Sequence, residues 1–179
     1  MIKHVRFTKT HLTLAALALA MSAAAGSAIA AVATATSTST VITPINITKV
    51  ADLAFGSFAA GSSIGTVTVS TNGTRSKTGG VTLMGGGATA AQFNVTGSGT
   101  LTYSISWAGS STTLTSGSDS MTFTRIADLT GAGATSGDVS SGTLTAGAQS
   151  IYVGGVLDVG INQAAGSYTG TVSATVEYN

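Results

Sequence analysis

The stretch that decides the fold is the last patterned run of the chain, Tyr168-Thr169-Gly170-Thr171-Val172-Ser173-Ala174-Thr175-Val176-Glu177-Tyr178. Apolar and polar residues alternate along it, and the apolar set is Val172, Ala174, Val176 and Tyr178. Because successive side chains of a β-strand point to opposite faces, the alternation predicts a strand with one buried face and one solvent face.

Short runs with the same period of two recur upstream, with turn-forming residues such as Asn72-Gly73 between them. Apolar and polar residues alternate most clearly in 64–69 and 101–107, and residues 41–47 and 151–159 are further strand candidates. Pro44 places the first run at an edge or a bend, and Gly154-Gly155 in the last run predicts a bulge. Regularly spaced short strands of this kind favour an all-β sandwich or barrel.

The first thirty residues have a different character. Three basic residues, Lys3, Arg6 and Lys9, precede an apolar run over 12–25, and small residues close the segment at Ala28-Ile29-Ala30. This order predicts a secretory signal peptide over residues 1–30. The alternative is an uncleaved membrane anchor, but the apolar run is shorter than the roughly 20 residues that a spanning helix needs.

Cleavage at that point leaves two parts. Residues 31–40 are rich in Ala, Ser and Thr and predict a flexible N-terminal extension, while residues 41–179 form the β-domain. The mature chain is expected to be exported without stable membrane insertion, to the periplasm, the cell surface or an extracellular fimbrium.

The charge pattern excludes nucleic acid as a partner. After residue 30, four basic and six acidic residues remain, a net charge of −2. Nucleic-acid binding requires clustered Lys and Arg, and this chain has no such cluster. Charged residues are 7% of the chain, far below the usual ~25%, so the surface is hydroxyl-rich and prone to associate.

Catalytic equipment is also missing from the mature sequence. Both histidines, His4 and His11, fall in the predicted signal peptide, and there is no cysteine. This excludes Ser-His and Cys-His pairs and the usual zinc and copper ligands, so we expect no enzyme, no cofactor and no metal. The remaining catalytic options are a Ser-Lys dyad, with either Lys49 or Lys77 (which follows Ser76) as the base, and a pair of carboxylates, for which the candidates are Asp119, Asp128, Asp138 and Asp158. Aspartates in Gly/Ser/Thr-rich loops more often cap turns.

The end of the chain resembles subunits of the chaperone–usher pilus pathway. Those subunits end in an alternating strand with a penultimate aromatic residue, here Tyr178, and a glycine fourteenth from the end, here Gly166. Residues 165–172 also resemble the end of spore-coat-protein-U-like secreted subunits. Together with Leu53-Ala54-Phe55-Gly56, the pattern is similar to an uncharacterised family of secreted β-domains related to fimbrial subunits.

The resemblance implies an immunoglobulin-like, pilin-like β-sandwich that lacks one strand. The groove beside the last strand would be filled first by a periplasmic chaperone and then by the N-terminal extension of a like subunit, giving a homopolymer. The residues that would line the groove are Gly166, Val172, Ala174, Val176 and Tyr178. The donor segment would carry Val32, Thr34 and Thr36.

Three functions therefore compete at this point. The first is a structural subunit of a surface fibre or pilus assembled by donor-strand complementation. The second is a monomeric secreted β-sandwich adhesin that binds carbohydrate or matrix. The third is a secreted hydrolase that uses paired aspartates.

Overall fold

The computed structural model describes residues 30–108 and 112–179. The predicted signal peptide therefore lies outside the described residues, except for Ala30. The chain divides into two units, Met1–Thr40 and Val41–Asn179. In the first unit, residues 30–40 form no strand and are exposed.

The second unit is all-β, as predicted, and no helix occurs within its described residues. The strands are β1 (Asn46–Ala51), β2 (Phe58–Ala59), β3 (Gly65–Val69), β4 (Arg75–Gly79), β5 (Thr82–Leu83), β6 (Ala91–Thr96), β7 (Thr102–Ala108), β8 (Thr113–Ser116), β9 (Asp119–Asp128), β10 (Ser141–Thr143), β11 (Ala148–Val159) and β12 (Ser173–Tyr178).

The strands form two main antiparallel sheets. The larger follows the order β1-β6-β11-β3-β4, and β9 joins it along the other edge of β11 and carries β8. The long strand β11 is its centre, because its first half pairs with β6, its second half with β3, and its middle with β9. The smaller sheet has the order β10-β7-β12, and β2 and β5 form a separate pair.

The two main sheets pack face to face across an apolar cluster and thereby make a β-sandwich. Phe93, Ile151 and Val153 of the larger sheet pack with Tyr103 and Val176 of the smaller one. A second apolar cluster lies under the far half of the larger sheet and contains Phe55, Val67, Val69, Val81, Met121, Phe123, Leu157 and Val159. β12 is therefore an edge strand of the smaller sheet, and its inward face packs on the core.

Two of the predicted strands differ in detail. The first begins at Asn46 and not at Val41, because Pro44 has no N–H to donate and the hydroxyl of Tyr178 holds the carbonyl of Thr43. The bulge predicted at Gly154-Gly155 is wrong, since β11 pairs through both residues without a shift. A Cβ on Gly154 would lie 2.1 Å from the carbonyl oxygen of Val69, so glycine at this position allows the backbone of Val69 to approach β11 closely.

Candidate functional site

The last strand occupies an edge of the smaller sheet. β12 pairs with β7 from Ser173↔Ala108 to Tyr178↔Tyr103, and among the strands of residues 30–108 and 112–179 it has no second partner. Its inward face agrees with the sequence prediction. Val176 is buried, and Val172, Ala174 and Tyr178 are half-buried against the core.

Tyr178 closes one end of this edge with its hydroxyl group. That oxygen accepts a hydrogen bond from the Ser98 amide at 2.6 Å and donates one to the carbonyl of Thr43 at 2.9 Å. Tyr178 therefore links the end of β12 to the loop that follows β6 and to the residues just before β1.

The other end of β12 opens into a groove. A cavity of about 410 Å³ lies between the segments that precede β12 and follow β1. Its apolar lining is Leu53, Phe55, Ala91, Phe93, Leu114, Phe123 and Val172. Leu53 and Val172 contact both core clusters, so the groove reaches the interior of the sandwich.

A second cavity of about 780 Å³ continues the groove beyond β12. It shares Leu53, Phe55, Leu114 and Tyr168 with the first cavity. The hydroxyl of Tyr168 accepts a hydrogen bond from Nε2 of Gln163 and donates one to the carbonyl of Ala164, both at 2.8 Å. Tyr168 is thus held in place where the two cavities meet.

Arg75 positions the outer wall of the groove from a distant strand. Its Nη1 donates to the carbonyls of Phe55 at 2.9 Å and Ser57 at 3.2 Å, and Nη2 donates to that of Met84 at 2.8 Å. Gly56, with φ of 67°, allows this turn, because a Cβ there would collide with the guanidinium group. The sequence marked residues 53–56 as part of an apolar segment and through the family resemblance, but it did not assign Arg75, Leu114 or Tyr168 to a groove.

The family follows from a match over nearly all of this sandwich. The model of the family described as "Domain of unknown function (DUF4402)" matches residues 45–178. The chain belongs to the DUF4402 family. The match begins one residue before β1 and ends on Tyr178, so it includes the whole groove and leaves out the N-terminal extension. No curated protein matches the chain.

Gly166 lies in an exposed bend of this DUF4402 domain, between β11 and β12. It lines the larger cavity, so the fold brings it to the same groove as Val172. A Cβ at this position would lie 2.3 Å from Oγ of Ser116, which explains a glycine here. The predicted donor residues Val32, Thr34 and Thr36 lie in the first unit and are exposed.

The edge strands of the DUF4402 domain differ in their protection. β1 has a register shift between Lys49 and Ala51, and β4 carries Lys77 on the same face as its partner, buried Val67, although Lys77 itself is exposed. Bulges and inward-facing charges are devices that prevent strands from pairing with other chains. β12 pairs without a shift and contains no proline, and its one charged residue, Glu177, is exposed on the outward face.

The other titratable groups serve the fold or face solvent. Oδ1 of Asp128 accepts hydrogen bonds from the amides of Thr130 and Gly131, and Oδ2 accepts one from the Thr71 hydroxyl. Burial alone would raise the pKa of Asp128, but these hydrogen bonds outweigh it and hold the pKa below its usual value. Asp128 thus caps a turn, in the manner expected of a loop aspartate.

Asp138 is engaged as well, since it pairs with Arg125, whose guanidinium group lies 4.3 Å from the centre of the Trp107 ring. Asp119 and Asp158 are exposed. Ser76 and Lys77 are neighbours on β4, so the side chains of this Ser-Lys pair point to opposite faces of the sheet. Within the described residues, no group of three His, Cys, Asp or Glu could hold a metal ion. No helix in that part of the chain has the length and apolar character to cross a membrane.

Proposed function

We propose that this DUF4402 protein is an exported structural subunit of a surface fibre, assembled by addition of a strand from a neighbouring subunit to the edge of β12. The observation that carries the proposal is that β12 has a free strand edge, within the described residues, beside an open groove lined in part by apolar side chains. β12 pairs on one side only, within the described residues, and the cavity beside Val172 reaches both core clusters.

An added strand would gain two kinds of interaction at this site. The backbone groups of β12 on the side away from β7 can extend the ladder, and alternate side chains of the new strand can enter the groove. Before assembly the same edge invites uncontrolled pairing. A periplasmic chaperone that occupies it first is therefore part of the proposal.

The donor is the N-terminal extension, which precedes the domain match and is exposed. The test compares the full chain, expressed with its own leader, with a variant in which a Gly-Ser linker of equal length replaces residues 32–42. The full chain should form polymers, visible by light scattering and electron microscopy. The linker variant should remain monomeric with unchanged strand content by circular dichroism, and a synthetic 32–42 peptide should bind it and raise its Tm.

A scrambled peptide of the same composition is the control and should leave the Tm unchanged. Polymers of the linker variant equal to those of the full chain would refute the role of the extension. A full chain that stays monomeric, unfolds at high temperature and ignores the peptide would refute strand addition altogether.

A further inference from the structure

A third cavity lies on the outward face of the larger sheet, and no residue of β12 lines it. Its volume is about 470 Å³, within the range of roughly 300–1,000 Å³ that small-molecule sites occupy. The polar side chains of its lining are Thr66, Thr78, Ser120, Thr122, Asp158 and Gln163. The strand residues among them face outward because their neighbours in the chain, such as Val67, Phe123 and Leu157, are buried in the core.

Four of these side chains form a row across four strands. Asp158 of β11 is the register partner of Thr66 of β3, which in turn is the partner of Thr78 of β4. On the other side of β11, Leu157 pairs with Phe123 of β9, so the residue before Phe123, Thr122, continues the row beside Asp158. Because neighbouring strands lie about 4.8 Å apart, the row presents three hydroxyl groups and one carboxylate over about 14 Å.

The row has hydrogen-bonding capacity that the fold does not use. Asp158 is exposed and forms no hydrogen bond or ion pair with the residues that the structure describes. The hydroxyl groups of Thr66 and Thr78 are hydrogen-bonded to each other, with 2.8 Å between the two oxygens. Since each hydroxyl group has one hydrogen and two lone pairs, this pair keeps one hydrogen to donate. The row therefore offers both acceptors and donors to a ligand.

The rim of the cavity is held in place by Gln163, in the loop that follows β11. Its Nε2 donates to the carbonyl of Ser120 and its Oε1 accepts from the amide of Gly160, both at 3.3 Å. Ile64 adds an aliphatic side chain to the lining, and this side chain is 71% exposed. The cavity thus combines fixed polar groups with one apolar contact surface, and fixed groups lower the entropic cost of binding.

The charge of the lining narrows the class of ligand. Asp158 is the only charged residue among the described residues that line the cavity, so it repels anions such as phosphates. A metal ion would need several oxygen ligands close together, and the cavity supplies one carboxylate. A sugar ring has hydroxyl groups that can donate to a carboxylate and C–H groups that can pack on an aliphatic side chain.

We infer that this cavity is a binding site for a neutral saccharide, in which two adjacent hydroxyl groups of the sugar donate to the carboxylate of Asp158. The hydroxyl groups of the row bind neighbouring sugar oxygens, and Ile64 packs against the C–H groups of the ring. The inference goes beyond the proposed function, since it requires neither the edge of β12 nor the extension. No aromatic ring lines the cavity among the described residues, so a monosaccharide should bind with a Kd of roughly 1 mM.

Saturation-transfer difference NMR can test the site, because it detects weak binding to monomers and polymers alike. The full chain is titrated with the methyl glycosides of glucose, galactose and mannose. Glucuronic acid and glucosamine are the negatively and positively charged comparisons. At least one neutral glycoside should give a saturable signal, and glucuronic acid should give none.

Two pairs of variants assign the signal to the cavity. D158N removes the charge with little change of shape and should weaken binding at least roughly tenfold. T122V removes one hydroxyl group but keeps the β-branched shape, and should weaken binding by roughly threefold to tenfold. D119N and T124V are the matched controls, because Asp119 and Thr124 are exposed on the same strand as Thr122 but do not line the cavity. Both controls should bind like the unmodified chain, and all four variants should keep its strand content by circular dichroism.

The outcomes separate this site from its alternatives. No signal from any of the three neutral glycosides would refute the inference, whether or not the chain polymerises. A stronger response to glucosamine than to the neutral sugars would show that Asp158 binds cations instead. Equal effects of D158N and D119N, or of T122V and T124V, would place the sugar elsewhere on the surface and also refute this site.

Discussion

Two tyrosines that lie opposite one another across β7 and β12 provide a sharp test of the structure. Tyr178 and Tyr103 are register partners, but their hydroxyl groups have opposite surroundings. That of Tyr178 makes hydrogen bonds to Ser98 and Thr43, whereas that of Tyr103 is buried with no partner among the described residues. Burial also raises the pKa of Tyr103, as expected for an unsolvated phenol.

The Tyr178→Phe variant should be destabilised. Each of the two lost hydrogen bonds contributes about 0.5–1.5 kcal/mol, so the free energy of unfolding should fall by roughly 2 kcal/mol. For a domain of this size the Tm should drop by roughly 5–10 °C. The Tyr103→Phe variant removes a hydroxyl that lost its hydration without a replacement, so it should be neutral or more stable by up to about 2 kcal/mol.

Thermal unfolding followed by circular dichroism measures both variants, and amide hydrogen exchange at Ser98 adds a local readout. Exchange at that amide should accelerate in Tyr178→Phe and remain unchanged in Tyr103→Phe. Equal Tm values for the two variants would refute the assignment of these contacts. A loss of stability in Tyr103→Phe alone would show that its hydroxyl has a partner and that the packing near β7 differs from the one described.

Three further outcomes are expected from the sandwich itself. Gly155→Ala should cost roughly 3 kcal/mol in chemical denaturation, because its Cβ would lie 2.1 Å from an aromatic ring of β9, whereas Gly87→Ala, with open space around it, should stay within about 0.5 kcal/mol. The pKa of Asp128 in the folded protein lies below its ordinary value of 3.8. The ionised Asp128 therefore stabilises the fold above that pH, and this stabilisation is lost on further acidification. The Tm of Asp128→Asn should consequently fall less steeply with acid than that of the unmodified protein. Arg75→Ala removes hydrogen bonds to backbone carbonyls, so it should lower the free energy of unfolding by roughly 2–4 kcal/mol and increase proteolysis at the groove wall. Lys77 is exposed on the same strand, and Lys77→Ala should have neither effect.

Strands with one buried and one solvent-exposed face could be predicted from the sequence. The period of two in residues 64–69, 101–107 and 172–178 needs only local information, and β3, β7 and β12 follow it. The groove walls were beyond such reasoning, because Phe55 reaches its place through a contact with Arg75, twenty residues away in the chain. The glycine pair of β11 was misinterpreted for the same reason: its close neighbours, Val69 and Phe123, come from other strands.

The composition of the extension is consistent with a strand that must stay soluble before it pairs. A run of valine or isoleucine at the even positions from 32 to 40 would fill a groove well, but it would also pair with any open strand edge before assembly. Threonine keeps the β-branched shape and one methyl group while its hydroxyl group remains hydrated. Because the four threonines at these positions bury little apolar surface, we expect most of the affinity of the proposed donor strand to come from its backbone ladder. We expect such a strand to bind firmly only where a free strand edge lies beside a cavity, as β12 does within the described residues.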